Sequence, residues 1–148
     1  GSGGGAAGGH LSVMVVVDSE GGIDGDRDGV MRNSNAVAAI VAYFPPVDLR
    51  EITGPNDRFP ALDFEQRKAA AISPILHADP SDPPTLLIHG DADTLVDISN
   101  SIDMQAEFEK HHITSEFITI SGAGHRFRGD DATRAAALRL DWFKKYLL

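Results

Sequence analysis

Two short stretches carry the side chains best suited to chemistry. The first, HGDADTLV at residues 89–96, holds Asp91 and Asp93. The second, SGAGHRF at residues 121–127, holds His125 between glycines and Phe127. Each follows a short apolar run that reads as a strand. A carboxylate and an imidazole at neighbouring strand ends can hydrogen-bond. The carboxylate then fixes the imidazole tautomer and stabilises its protonated form, which is the orienting half of a nucleophile–base–acid triad. Singly, each aspartate reads equally well as a loop or capping residue, and His125 as a surface histidine. Their joint order and placement favour the chemical reading. In one large fold class the chain order is nucleophile, acid, histidine, so a nucleophile belongs before residue 91. The one glycine-framed turn of small residues there is Gly4-Gly5-Ala6-Ala7-Gly8-Gly9-His10.

The surrounding elements must bring these loops together. Residues 8–17, GGHLSVMVVV, are ambiguous: Leu11, Met14 and Val15 fall at helical spacing, but three successive valines favour a strand. Residues 18–35 read as a polar loop. AVAAIVAYF (36–44), ended by Pro45-Pro46, and TLLIHG (85–90) read as buried parallel strands, and SEFITI (115–120) as a third. DFEQRKAAA (63–71) predicts a helix capped by Asp63. Residues 73–84 contain four prolines and predict a connector. A helix is expected over 98–111, with Ile98, Ile102 and Ala106 on its stripe and Asp97 as its cap. Another is expected over 131–147, with Ala135, Leu138, Trp142 and Tyr146 on one face and Lys144 and Lys145 at the negative end of the dipole. Strands alternating with helices predict an α/β protein with about three parallel strands and flanking helices.

Composition narrows the function classes. With 148 residues, 42% of them hydrophobic, the chain suffices for one globular core. Its net charge of −9, with scattered basic residues, argues against a nucleic-acid partner. Its longest apolar run is too short to span a bilayer, so no membrane role and no leader are expected. The absence of cysteine excludes disulfides, thiolate zinc sites and a cysteine nucleophile, and fits cytoplasmic and secreted settings alike. DGDRDG (24–29) matches the start of an EF-hand loop, but its twelfth position is Asn35 rather than glutamate, so a solvated acidic loop is the better reading. The opening stretch lacks the lysine and hydroxyl residue of a phosphate loop. His10, His77, His89, His111 and His112 show no metal spacing; His89, beside the acid loop, is a candidate for shaping the site. No cofactor and no metal are expected.

Four pieces, GGAAGGHLSVM, YFPPVDL, SPILHADPSDPPTLLIHGDADTLV and GAGHRF, give the chain a family resemblance. Over nearly all of residues 4–148 it resembles the C-terminal half of an α/β-hydrolase of the esterase/lipase type, close to bacterial acetyl-esterase and feruloyl-esterase-like members. The family motif is usually Gly-x-Ser-Ala-Gly-Gly-His-Leu, and here Ala6 stands at the serine position. The resemblance implies Asp93 as the triad acid, His125 as the general base and the Ala7 N–H as an oxyanion-hole donor. It also implies small acyl esters, acetylated carbohydrates among them, as substrates. Residues 45–72 would form a cap or pocket wall, with Phe44, Phe59 and Phe64 as its lining. The family often has proline after the valine of the acid loop, where this chain has Asp97 after Val96.

The same comparison leads to the expectation that this chain is catalytically silent. Alanine has no hydroxyl, and neither Ser2 nor Ser12 stands where the nucleophile should. No strand leads into the elbow, and no early glycine-rich loop supplies the other oxyanion donor. Residues 1–3 read as a tag-like remnant. The alternative expectation is a non-catalytic fragment or binding module that pairs its open sheet edge with another chain, or forms a homo-oligomer.

Overall fold

The computed structural model describes residues 6–17, 37–55, 57 and 60–148. Helix α1 spans Ala6–Val17, strand β1 Ile40–Tyr43, strand β2 Thr85–Gly90, helix α2 Ser99–Lys110, strand β3 Ser115–Ile120 and helix α3 Gly129–Leu147. The strands form one parallel sheet in the order β1-β2-β3. The register sets Ile40 opposite Thr85, and Thr85 opposite Ser115. The expected α/β architecture with three parallel strands is therefore present.

Alternation along the central strand builds the core on both faces. Leu87 joins Val13 of α1, Ala42, Val47, Met104, Phe108 and Ile113 on one side. Leu86 and Ile88 join Ala39, Ile120, Ala123, Ala135 and Trp142 on the other. All six residues of β2 are buried, as a continuous apolar run in a covered parallel strand requires. Trp142 reaches across with its indole N–H donating to the Pro84 carbonyl at 3.4 Å.

The ambiguous opening segment is a helix. Its valines do not make it a strand, because Val13 packs into the core beneath β1 and Gly9 lies flat against the strand. A Cβ at Gly9 would run into the Tyr43 carbonyl, so only glycine permits this approach. The first strand is shorter than the apolar run suggests, four residues rather than nine.

Two expectations fail. Residues 63–71 are not an α-helix with an Asp63 cap; they hold two three-residue 3₁₀ turns, Gln66–Lys68 and Ala70–Ile72. Asp63 is exposed, and Glu65 precedes the first turn without a side-chain cap. Only Ala69 is buried there, so no apolar stripe pays the nucleation cost of a longer helix. Ser73 ends the segment by donating its hydroxyl to the Ala69 carbonyl at 2.7 Å. In α2 the buried face is Ser101, Met104 and Phe108, while Ile102 is 50% exposed. The expected stripe through Ile98, Ile102 and Ala106 is thus about a quarter-turn or more off the core. Asp97 does accept the Ser99 N–H at 2.9 Å beside the start of that helix.

The last helix follows its predicted face: Ala135 and Trp142 are buried, and Leu138 and Tyr146 pack against them. Among the described residues no helix is long and apolar enough to cross a membrane. The acidic loop at 24–29, Asn35, Ser2 and Phe59 lie outside the described residues.

Candidate active site

Parallel strands deliver their carboxyl ends to one edge of the sheet, and the loops that follow β2 and β3 meet there. Gly90 permits the meeting: a Cβ at this position would collide with the Ala123 carbonyl. Two further bonds fasten the loops. Ala92 N–H donates to the Ala123 carbonyl at 3.0 Å, and Gly122 N–H donates to Asp91 Oδ1 at 2.6 Å. Asp91 is therefore a tie between loops and does not contact His125.

Asp93 and His125 are brought together. His125 Nδ1 lies 2.8 Å from Asp93 Oδ2. The Asp93 side chain is fully buried and that of His125 is 11% exposed. The other oxygen, Oδ1, accepts the backbone N–H groups of Leu95 at 2.8 Å and Val96 at 3.0 Å. These two bonds fold the loop around the carboxylate in the manner of an Asx turn. Burial by itself would raise the Asp93 carboxyl. The N–H groups of Val96 and Leu95 and the His125 imidazole outweigh it and hold the group below its ordinary value. An ionised aspartate facing Nδ1 favours the tautomer with its proton there, which leaves Nε2 as the free, basic nitrogen.

His89 sits behind this pair with no exposed surface. Its Nε2 is 2.9 Å from the Val96 carbonyl and 3.2 Å from Asp93 Oδ2, and its Nδ1 is 2.7 Å from Ser101 Oγ. Burial pushes this imidazole below the usual histidine range. The sequence marks it by the His89–Asp93 spacing of four, but nothing in the sequence announces its partner Ser101.

Phe44 forms the other wall. It follows β1 directly, is 4% exposed, and holds a positive φ of 37°. Its ring lies against His125 with centroids 4.5 Å apart and against Phe127 at 5.2 Å. Arg126, next to the imidazole, also has a positive φ, 66°. Non-glycine residues in this region are strained, and such strain concentrates where side chains are aimed for function. Local sequence could not reveal it. A hollow of about 310 Å³ opens beside the acid loop, lined in part by Pro46, Asp48 and Ile52. Phe64 is half-buried and is not among its lining residues.

Ala6 is the first residue of α1, and Ala7 the second. The opening N–H groups of any helix lack intrahelical partners and can serve an anion. Ser12 points back to its own helix, donating to the Gly8 carbonyl at 2.7 Å. His10 is bonded through Nδ1 to the Pro46 carbonyl at 2.9 Å, which joins α1 to the segment after β1.

Comparison with known proteins agrees with this architecture. The BD-FAE family model matches residues 2–108. No curated protein sequence matches the chain. Among solved structures, an acetyl ester-xyloside bifunctional hydrolase from Caldicellulosiruptor lactoaceticus superposes with a TM-score of 0.80 at 23% identity, covering 96% of this chain and 54% of that one. Esterase 2 of Thermogutta terrifontis gives 0.71 at 25% identity, with 96% and 53% covered. A truncated carbohydrate esterase from gut microbiota gives 0.65 at 29% identity, with 82% and 50% covered. The chain thus spans about half the length of the solved structures it matches. The sheet, its flanking helices and the matched family together place it: the chain belongs to the BD-FAE family, esterase-type hydrolases of α/β-hydrolase fold.

Proposed function

We propose that this chain carries the acid–base half of a serine carboxylic-ester hydrolase, with alanine in the place of the nucleophile. The observation that supports it is the 2.8 Å bond between Asp93 and His125, formed at the ends of adjacent parallel strands. In the parent reaction a serine at position 6 attacks the acyl carbonyl, and His125 Nε2 takes the hydroxyl proton as the Oγ–C bond forms. The Ala7 N–H donates to the oxyanion. The intermediate collapses, the ester C–O bond breaks, and His125 returns the proton to the departing alcohol. Water then releases the acid by the same exchange in reverse, while Asp93 keeps the imidazole oriented. Similarity to a carbohydrate esterase and to an acetyl ester-xyloside hydrolase favours small acyl esters of sugars as the substrate class.

As it stands the chain lacks the hydroxyl and performs no acyl transfer. Losing a triad nucleophile removes nearly all triad-dependent rate. The test is turnover of p-nitrophenyl acetate by three proteins: this chain, its Ala6→Ser variant, and the same variant carrying the remaining half of the relatives' length. The expected results are no turnover above a His125→Ala control, little turnover, and clear turnover. Activity in the unsubstituted chain that survives His125→Ala overturns the reading.

A second reading, a module that pairs with another chain, is favoured by the outer edge of β1. Among the described residues no strand pairs there. An apolar hollow of about 390 Å³, lined by residues that include Leu11, Val41 and Phe143, lies along it.

A further inference from the structure

We infer that His89 is the positioning residue for Asp93: a neutral imidazole whose Nε2–H is shared between the Val96 carbonyl and the Asp93 carboxylate. The inference rests on the Asp93–His125 pair being the acid–base couple.

The hydrogen-bond inventory decides the tautomer. The Val96 carbonyl and the Asp93 carboxylate can only accept, and both face Nε2, at 2.9 and 3.2 Å. That nitrogen must carry the proton. Ser101 Oγ faces Nδ1 at 2.7 Å and can donate to it. Every polar atom of the ring is then satisfied without a positive charge, which suits a side chain with no exposed surface. With this assignment Oδ2 of Asp93 takes two imidazole donors, His125 and His89, while Oδ1 takes two backbone donors, Leu95 and Val96. Removing His89 takes away one of the two imidazole donors to Oδ2. It also frees the Val96 carbonyl, whose own N–H is one of the two clamps on Oδ1. His89 therefore acts on the base through the acid. Ser101, from α2, fixes the ring that does so.

The test is nuclear magnetic resonance on the chain as it exists, with ¹⁵N-labelled histidine. The inference predicts that His89 shows a protonated Nε2 and an unprotonated, hydrogen-bond-accepting Nδ1. The bond to Asp93 should give His125 a strongly deshielded Nδ1–H signal. His89→Phe, which keeps the ring volume and removes the donor, should abolish that signal by broadening or exchange. His89→Gln, whose side-chain amide can donate in place of Nε2, should restore it in part. Backbone amide dispersion checks that each variant is folded. A His89 protonated at Nδ1 overturns the inference whether or not the variants fold. So does a folded His89→Phe protein with an unchanged His125 signal. Absence of the deshielded His125 signal in the unsubstituted chain instead overturns the acid–base reading itself.

Discussion

Asp93 is surrounded by donors, and that makes its charge a source of stability with a definite pH window. Its carboxyl is held below the ordinary 3.8, so the folded chain binds fewer protons than the unfolded chain as pH falls. The stabilisation is whole above that value and is lost as pH drops through the folded one. His89 works in the same direction at higher pH: buried and held below its ordinary 6.5, it resists protonation that the unfolded chain accepts. Asp93→Asn, which puts an amide before two imidazole donors, should cost about 1–3 kcal/mol at neutral pH. The cost should shrink as pH falls below 3.8, where the aspartate of the unfolded chain takes up its proton before that of the folded chain does. Melting temperatures of both proteins from pH 7 to 3 provide the check, and a gap independent of pH contradicts the account. At this scale much was legible. HGDAD and GAGHRF point to the two side chains that meet, because each stands in a short motif directly after an apolar run that reads as a strand. The ring of Phe44 and the hydroxyl of Ser101 were not legible as partners: Phe44 directly follows β1, far from His125 in sequence, and Ser101, though 12 residues from His89, is a polar residue on a helix face that no apolar pattern marks.

Between elements, the decisive contacts are made where backbone meets backbone. Gly90 ends β2 and Gly124 lies in the loop after β3, but of the two only Gly90 has a carbonyl where a Cβ would stand; the space at Gly124 is ordinary. Gly90→Ala should therefore destabilise the chain by about 1–3 kcal/mol, the usual cost of overpacking. Gly124→Ala should change stability by well under 1 kcal/mol. Urea unfolding of the two variants separates them, and equal losses would show that the loops are not in this close register. Element type was readable wherever burial is two-sided, as in TLLIHG, or wherever a long apolar stripe exists, as in α3. It was misread at 63–71, where good helix formers have nothing to pack on; in α2 the helix itself was readable but its buried face was not, because Ser101 is buried with its hydroxyl at His89. A polar residue on a core face is invisible to a count of apolar positions.

At the level of the whole molecule, the sheet is covered on both faces, and among the described residues no strand pairs with the outer edge of β1. Ile40 and Phe44 donate their N–H groups inward to Pro84 and Ile88, both at 2.9 Å. Exposed strand edges of this kind recruit partners. If the pairing reading is right, the apparent mass in size-exclusion chromatography rises with concentration, and Leu11→Glu, at a position 62% exposed beside that edge, lowers it again. A compact monomer at every concentration sinks the reading. The fold class was legible from the alternation of strands and helices. The small number of strands pointed to the outer edge of β1, which no described strand pairs. What occupies that edge was not legible, because nothing in these residues encodes the surface that would meet it.

The hydrogen bonds that orient Asp93 and His125 have a further property. Asp91, Asp93, Val96, Ser101, Gly122, His125 and His89 all fall within residues 89–125, one uninterrupted run of chain through β2, α2 and β3. Among the described contacts of the couple, the ring of Phe44 is borrowed from outside it. A chain break or insertion placed upstream of residue 84 therefore leaves these polar partners on one continuous stretch, whereas the apolar packing that supports them, from Val13, Ala42, Ala135 and Trp142, comes from outside it.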